Sequence, residues 1–228
     1  MTKRIFITAT GTDIGKTYIS GLIVKKMREN AYNCGYYKPA LSGAEMVNGK
    51  LIPGDCAFVL KTAGIDKEPD KVASYIFKTA VSPHLAAEIE GVSIKKDKIL
   101  NDFNNLKKEY DYIVIEGAGG IICPFNLKEE KILITDIIKM LNCDVIIVAN
   151  TTLGSINSTV LTVEYIKSLG IHIRGIIINN YDENDFMQVD NKKQIEALTG
   201  IKIIAEVREN EKCLNISEEN LLSIFKEI

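Results

Sequence analysis

Histidine is nearly absent from this 228-residue sequence, and its few cysteines are far apart. The two histidines, His84 and His172, do not have the spacing of metal ligands, and no two cysteines form a C-x-x-C pair. We therefore interpret the five cysteines as reduced thiols that mostly serve packing. They are Cys34, Cys56, Cys123, Cys143 and Cys213.

A large net charge is also lacking, because 28 Lys and Arg residues nearly balance 30 Asp and Glu residues to give −2. A chain this close to neutral creates no field that would attract nucleic acid or an anionic membrane over long distances. We expect neither as a partner. Any phosphate must be bound locally, by a few well-placed groups.

Long hydrophobic runs, internal repeats and flexible linkers are missing too. The first residues carry two basic side chains and then only a short apolar run from Ile5, which predicts neither a signal peptide nor a membrane span. We expect a cytoplasmic protein. With 46% hydrophobic residues and no linker, the chain is predicted to form one domain over residues 1–228.

The sequence does contain short runs rich in Ile and Val that alternate with longer segments of helical period. This alternation is typical of βαβ units, and runs without polar alternation predict strands buried on both faces of a parallel sheet. The predicted strands are Arg4–Ala9, Cys34–Lys38, Tyr112–Glu116, Asp144–Ala149, Gly175–Asn179 and Lys202–Val207.

Helices are predicted where apolar residues recur three and four positions apart. The predicted helices are Lys16–Glu29, Lys95–Tyr110, Ser155–Leu169, Asp190–Leu198 and a terminal one opened by Ser217. Two polar segments, Ala40–Gly54 and Tyr181–Asp190, are predicted to be loops.

A phosphate-binding loop is indicated after the first strand, where Ala9-Thr-Gly-Thr-Asp-Ile-Gly-Lys-Thr17 leads into a helix. In such a loop backbone N–H groups point at phosphate oxygens, Lys16 reaches the terminal phosphates and Thr17 offers a hydroxyl to Mg²⁺. The motif departs from the strict G-x-x-x-x-G-K-T form, since Thr10 stands five positions before Gly15. The alternative is a strand-to-helix turn with a chance Gly-Lys-Thr. The flanking strand and helix favour nucleotide binding.

The predicted fold class is therefore α/β, as a single-domain P-loop NTPase-like fold. Its central sheet is expected to be mostly parallel, with helices on both faces.

Two acidic residues are candidates for holding Mg²⁺ beside the phosphates. Glu116 ends a predicted parallel strand, at the edge where open α/β sheets bind ligands, and Gly117-Ala-Gly-Gly120 after it gives close backbone access. A carboxylate that merely caps the next turn is the alternative for Glu116. Asp55 is equally well explained as the N-cap of a helix over Cys56–Ala63.

Seven segments of the sequence carry recognisable motifs in a fixed order and spacing. The most restrictive pair is Tyr37-Lys-Pro-Ala-Leu-Ser-Gly43 with Glu116-Gly-Ala-Gly-Gly120. The other segments are Gly11–Thr17, Asp55, Ser82-Pro-His84, Leu153-Gly-Ser-Ile-Asn157 and Gly175–Asn180. Taken together, these motifs resemble the dethiobiotin synthase family over residues 5 to about 210.

The resemblance implies an ATP- and Mg²⁺-dependent ring closure of 7,8-diaminononanoate with CO₂. One amine is carboxylated to a carbamate, whose oxygen attacks the γ-phosphate to give a carbamic–phosphoric anhydride. The second amine then attacks the carbonyl and expels phosphate, which yields dethiobiotin, ADP and phosphate.

The resemblance also implies the role of each matching residue. Lys38 and Lys16 are the catalytic lysines, although from the residues alone Lys38 could be an ordinary surface lysine at a strand end. Thr17, Asp55 and Glu116 are the Mg²⁺ ligands, and Asn179 has the amide groups to pair with adenine. The implied ATP site consists of Asp13, Ile14, Gly15, Lys16, Thr17, Tyr18, Asp55, Glu116, Gly117, Ala118, Gly119, Asn179 and Asn180.

Two segments are implied to bind the diamine substrate. Thr12 and Ser42 line the reacting end, while the free N–H groups of a helix N-terminus hold the distant carboxylate. In the family this second segment comes from the partner of a homodimer, so a homodimer is expected. The segment contributes Leu153, Gly154, Ser155 and Asn157. His84 is interpreted as structural, because the chemistry needs no histidine base.

The main alternative is a partition or septum-site ATPase, a nucleotide switch that binds proteins or membranes. Such switches carry an extra lysine early in the phosphate loop, where this chain has Thr10, and this sequence shows no basic stripe. An amidating synthase of cobalamin precursors would need a further glutaminase domain, and the given sequence has no room for it. The expected arrangement brings Lys16, Lys38, Asp55 and Glu116 to one metal–triphosphate.

Overall fold

A computed structural model describes residues 2–225 of the chain. Seven strands are β1 (Lys3–Ala9), β2 (Cys34–Leu41), β5 (Ala73–Ile76), β6 (Tyr112–Glu116), β9 (Val145–Ala149), β10 (Ile173–Asn179) and β11 (Ile203–Val207). They form one sheet in the order β11-β10-β9-β1-β6-β2-β5, and every neighbouring pair is parallel. Their Ile- and Val-rich segments are almost wholly buried, as expected for strands covered on both faces.

Helices connect these strands. They are α1 (Lys16–Glu29), α2 (Gly54–Thr62), α3 (Pro83–Ile89), α4 (Lys96–Leu106), α5 (Ile134–Met140), α6 (Ser155–Ser168), α7 (Phe186–Thr199) and α8 (Glu218–Ser223). The connections from β1 to β2 and β5 run toward one edge of the sheet, and the later ones run toward the other edge. Because parallel crossovers are right-handed, α1 and α2 cover one face and α4 to α7 cover the other. The predicted α/β class with a parallel central sheet is confirmed.

The segment Ala40–Gly54 is not the loop that its polarity predicts. It contains an antiparallel hairpin of β3 (Glu45–Val47) and β4 (Lys50–Ile52). The hairpin turns at Asn48 and Gly49, whose φ angles are 50° and 79°. Asn-Gly is the favoured pair for a two-residue hairpin turn with positive φ at both positions, so the sequence did carry a signal for this element.

The second predicted loop is also partly wrong, because α7 begins at Phe186 rather than at Asp190. The Asp185 carboxylate caps this helix, accepting hydrogen bonds from the backbone N–H groups of Met187 and Gln188 at 2.9 and 3.3 Å. An aspartate two or three residues before free N–H groups is a common N-cap. The terminal helix α8 begins as predicted, with Ser217 as its cap.

Several short elements had not been predicted from the sequence. They are β5, α3, α5 and the small hairpin of β7 (Pro124–Asn126) and β8 (Ile132–Leu133). The predicted helix Lys95–Tyr110 is shorter than expected, since α4 ends at Leu106. Among the described residues, none of the helices is long and apolar enough to cross a bilayer.

Candidate active site

The phosphate loop lies between the end of β1 and the start of α1, so the N-terminal N–H groups of α1 open toward the carboxyl edge of the sheet. Gly15 has φ 101°, and a Cβ built there would lie 2.1 Å from the Asn179 side-chain nitrogen. This nitrogen donates a hydrogen bond to the Ile14 carbonyl at 3.0 Å. Asn179 at the end of β10 therefore packs against the loop and bonds to it, and only glycine fits at position 15.

The Lys16 side chain folds back over this loop and is mostly buried. Its Nζ donates a hydrogen bond to the Gly11 carbonyl at 3.0 Å. Burial and the nearby charge of Lys38 lower the pKa of Lys16, although Glu116, Asp55 and Asp13 act in the opposite direction. A phosphate anion brought beside this ammonium group would relieve that cost.

Lys38 is the buried centre of an ion cluster that it forms with Asp55 and Glu116. Its Nζ lies 2.6 Å from Asp55 Oδ2 and 2.6 Å from Glu116 Oε1, and it donates a further hydrogen bond to the Gly117 carbonyl at 3.3 Å. Burial alone lowers the pKa of Lys38, but the two carboxylates outweigh it, so the net pKa is raised and the side chain stays an ammonium. The structure excludes the alternative of an ordinary surface lysine, since the residue is 3% exposed.

Asp55 is not the helix cap that its position after Pro53-Gly54 suggested. Pro53 occupies the N-cap position of α2, and Asp55 lies inside the first turn without a side-chain bond to free backbone N–H groups. Its carboxylate instead bonds to Lys38 and is 39% exposed. Glu116 is not a turn cap either, because both of its oxygens accept hydrogen bonds from other side chains.

Sequence reasoning missed one member of this cluster. The Tyr36 hydroxyl donates a hydrogen bond to Glu116 Oε2 at 2.7 Å, while the Thr17 hydroxyl and Lys38 share Oε1. Burial and the Glu116 charge raise the pKa of Tyr36 well above its usual value, which keeps the phenol protonated. The signal lay in strand alternation: Tyr36 stands two positions before Lys38 and therefore faces the same side of β2.

The phosphate loop and the ion cluster around Lys38 border one open cavity of about 620 Å³. Most of the implied site residues line it, and Phe58 and Leu41 join them. The lining includes three carboxylates and two ammonium groups, from Asp13, Asp55, Glu116, Lys16 and Lys38. The other lining residues implied by the sequence are Thr12, Gly15, Thr17, Tyr18, Ser42, Ala118 and Gly119.

Other implied residues lie outside the cavity lining. The Gly117 carbonyl accepts a hydrogen bond from the lining residue Lys38, Ile14 and Asn179 bond to each other, and Asn180 is exposed just after β10. The Asn179 Oδ1 atom is buried and has no hydrogen-bond partner, so it can still accept a hydrogen bond. The Tyr18 hydroxyl donates to the Glu211 carbonyl, which ties the segment after β11 to the phosphate loop helix.

The segment implied to bind the substrate carboxylate is also not in the cavity. Leu153 is 89% exposed at the start of α6, and Gly154 and Asn157 are exposed beside it. Ser155 is buried, with a hydroxyl that has no partner. Within one chain, this segment therefore does not line the cavity that Thr12 and Ser42 line.

The oxygen groups of the cluster suit a hard divalent cation. Thr17, Asp55 and Glu116 come from three elements, and Asp55 and Glu116 already share one cationic group, the Lys38 ammonium. In residues 2–225 no three His, Cys, Asp or Glu side chains form a metal cage. Mg²⁺ is usually held by one or two carboxylates, and substrate phosphates supply the remaining oxygens.

A parallel sheet, a phosphate loop opening α1 and a strand-end carboxylate bonded to its Thr17 define a P-loop nucleotide-binding protein. A family model described as an AAA domain matches residues 3–217. A Clostridium botulinum (Eklund 17B / Type B) protein named ATP-dependent dethiobiotin synthetase BioD is 53% identical over 203 residues, 89% of each chain. Another, from strain 657 / Type Ba4, is 49% identical over 228 residues and 100% of both chains. The chain belongs to the dethiobiotin synthetase family.

Solved structures confirm the fold at lower sequence similarity. The septum site-determining protein MinD from Pyrococcus horikoshii OT3, solved with Mg-ADP, is 20% identical with a TM-score of 0.55, covering 98% of this chain and 87% of its own. A ParA family ATPase from Chlorobium tepidum TLS is 16% identical with a TM-score of 0.55, covering 97% and 89%. This likeness concerns the fold alone, and the close sequence relatives favour the synthetase over the switch.

Proposed function

We propose that this protein is an ATP- and Mg²⁺-dependent dethiobiotin synthetase, which closes the cyclic urea of dethiobiotin from 7,8-diaminononanoate and CO₂. The observation that carries the proposal is the buried Lys38, held between Asp55 and Glu116 at the wall of the cavity that Lys16 also lines. The close relatives supply the name of the reaction. The chemistry of this cluster fits the reaction for the following reasons.

A carbamate and a triphosphate are both anions, so their approach needs fixed positive charge. Lys16 follows the phosphate loop and Lys38 belongs to β2, and both side chains line one cavity. Since phosphoryl transfer is catalysed chiefly by positioning and charge stabilisation, two preorganised ammonium groups are suited to this step. Lys38 stays charged because its carboxylate partners raise its pKa.

Mg²⁺ would be held by Thr17, Asp55 and Glu116; Lys38 bonds to the two carboxylates, and the Thr17 hydroxyl bonds to Glu116. When bound, the ion neutralises phosphate charge and fixes the γ-phosphate for attack. The cavity carries one more carboxylate than ammonium groups, so a triphosphate alone would meet net negative charge. ATP and the divalent cation are therefore expected to bind together.

The reacting end of the diamine would lie against Thr12 and Ser42, which line the cavity beside Lys38. Its carboxylate end would be held by Leu153, Gly154, Ser155 and Asn157 of a second copy of the chain. That these four residues do not line the cavity within one chain supports a homodimer as the working unit.

Asn179 and Asn180 would contact adenine, and the free Oδ1 of Asn179 supports that role. We propose a cytoplasmic location and small-molecule partners only.

One assay tests substrate, reaction and cofactor together. Purified protein is incubated with diaminononanoate, bicarbonate, Mg²⁺ and ATP, and the products are analysed by mass spectrometry. Dethiobiotin that requires all four components supports the proposal. ATP hydrolysis that does not depend on the diamine, with no dethiobiotin, would instead indicate a nucleotide switch.

A further inference from the structure

We infer that the Tyr36 hydroxyl is a positioning group that sets how Glu116 meets the divalent cation. The inference rests on the proposed function in one respect, the assignment of Glu116 as a metal ligand. Tyr36 is fully buried and does not line the cavity, so it would touch neither ATP nor the diamine. Its effect would pass through the carboxylate alone.

The contact is built by the register of two neighbouring strands. Tyr36 in β2 pairs with Val114 in β6, and Glu116 lies two positions further along β6. Because side chains alternate along a strand, Tyr36, Val114 and Glu116 share one face of the sheet. The phenol therefore reaches Glu116 Oε2 diagonally, at 2.7 Å.

Burial makes this bond a strong constraint. Tyr36 and Glu116 are both 0% exposed, so no bulk water can replace either partner. A carboxylate oxygen buried without a donor is costly, and a hydrogen bond to a charged acceptor is stronger than a neutral one. The carboxylate is thus fixed in one rotation, with Oε2 held by Tyr36 and Oε1 facing Thr17 and Lys38.

This arrangement presents a single oxygen to the cation. Mg²⁺ demands compact octahedral coordination and uses single carboxylate oxygens, whereas the larger Ca²⁺ readily accepts both oxygens of one carboxylate. By engaging Oε2, the Tyr36 hydroxyl favours the one-oxygen mode. It is expected to strengthen Mg²⁺ binding and to discriminate against Ca²⁺.

The neighbouring tyrosine provides a matched control. Tyr37 is 1% exposed, and its hydroxyl is also buried in hydrogen bonds, to Ser74 Oγ at 2.6 Å and to the Ile99 carbonyl at 3.0 Å. It faces the opposite side of β2 and does not touch the ion cluster. Tyr36→Phe and Tyr37→Phe each remove one buried hydroxyl from the same strand, so any general loss of packing or stability affects both.

The experiment measures metal binding directly. Electron paramagnetic resonance of free Mn²⁺, in the presence of a non-hydrolysable ATP analogue, gives the Mn²⁺ dissociation constant, and competition gives those of Mg²⁺ and Ca²⁺. For Tyr36→Phe we expect Mg²⁺ binding to weaken about tenfold, as is typical for loss of a group that orients a metal ligand, while Ca²⁺ binding changes little. Tyr37→Phe should keep wild-type values for both ions. Melting without nucleotide shows that both variants are folded.

Equal metal affinities in Tyr36→Phe and Tyr37→Phe would overturn the inference and leave Tyr36 as a packing residue. This result is separable from a failure of the proposed function, because the wild-type protein is tested for dethiobiotin independently. If wild type makes dethiobiotin and the two variants bind metals alike, only the role of Tyr36 is wrong. If wild type makes none but Tyr36→Phe alone shifts the Mg²⁺ to Ca²⁺ preference, the positioning role stands without the reaction.

Discussion

At the scale of single residues, the site depends on one ammonium group that two carboxylates share. Lys38 is almost fully buried, and a lysine in such a place normally loses its proton. Here Glu116 and Asp55 reverse that tendency. Since the raised pKa lies above that of an unfolded lysine, its stabilisation is complete at neutral pH and is lost only when alkaline pH passes the folded pKa.

Replacing Lys38 with Ala should therefore remove catalysis more than nucleotide binding. We expect dethiobiotin formation to fall by about 100- to 1000-fold, the usual cost of losing one charge-stabilising group in an active site. The melting-temperature shift caused by Mg-ATP should persist, because the phosphate loop is intact. Lys50→Ala is the control, since Lys50 forms ion pairs with the exposed Glu68 and the half-buried Asp70 and does not line the cavity. An active Lys38→Ala enzyme would remove this residue from the mechanism.

Glu116→Gln should raise the Mg²⁺ concentration needed for activity and for nucleotide binding. An amide is a weaker ligand than a carboxylate, and we expect a shift of about tenfold or more, since groups that merely orient ligands already contribute that much. The measurement is a Mg²⁺ titration of the nucleotide-induced melting shift. Glu68→Gln, at an exposed ion pair, should leave the titration unchanged. An unaltered curve for Glu116→Gln would make this carboxylate purely structural.

Much of this residue-level arrangement could be predicted from the sequence, and the rest has a clear reason. Motif spacing together with the family resemblance pointed to Lys16, Lys38, Asp55 and Glu116, and the structure brings all four to one cavity. The Asp55 contact could not come from local pattern, because an acidic residue in a first helical turn usually serves the helix itself. Strand alternation places Tyr36 on the same face of β2 as Lys38, but its contact with Glu116 depends on the register between β2 and β6, which no local motif reveals.

At the scale of elements, the phosphate loop is held by a strand that is distant in sequence. The Asn179 amide at the end of β10 fills the space where a side chain at position 15 would stand. The sequence predicted the loop but not its contact with Asn179, because Ile14 and Asn179 are 165 residues apart in the chain. The Asn48-Gly49 turn and the Asp185 cap, by contrast, have local sequence signals. Both were missed because their segments are polar and were predicted to be loops.

Gly15→Ala should consequently disrupt the loop. The added methyl group would collide with Asn179 and sit at φ 101°, so we expect the free energy of unfolding to fall by roughly 1–3 kcal/mol and the Mg-ATP melting shift to disappear. Gly170→Ala is a matched control, because Gly170 also has a positive φ of 68° but has no atom within 4 Å of the added Cβ. Chemical denaturation gives the free energy of unfolding of both variants. Both contain the backbone strain of a positive φ, so a larger loss in Gly15→Ala measures the collision with Asn179. Equal losses of unfolding free energy in the two variants would show that the contact with Asn179 does not stabilise the loop.

At the scale of the whole molecule, the cysteines report the integrity of the fold. Cys34, Cys56, Cys123 and Cys143 are buried, and Cys213 is exposed. Burial raises the pKa of Cys123 to about 11 and that of Cys34 and Cys56 as well, so at pH 7.5 their reactive thiolates are scarce. A thiol reagent such as N-ethylmaleimide at pH 7.5 should add one label to the native protein and five to the denatured protein, as counted by intact mass. Rapid labelling at a second site would mean that the core opens.

The strand order also has a consequence for biosynthesis on the ribosome. The two neighbours of β1 are β6 and β9, so the apolar segment Ile5–Ile7 of β1 has no strand partner until residues 112–116 and 145–149 have been synthesised. Until then its unpaired edge can join other nascent chains, which is the hazard of sheets built from distant segments. A ribosome stalled before residue 112 should therefore carry a nascent chain that chaperones hold, and release should coincide with the emergence of β6.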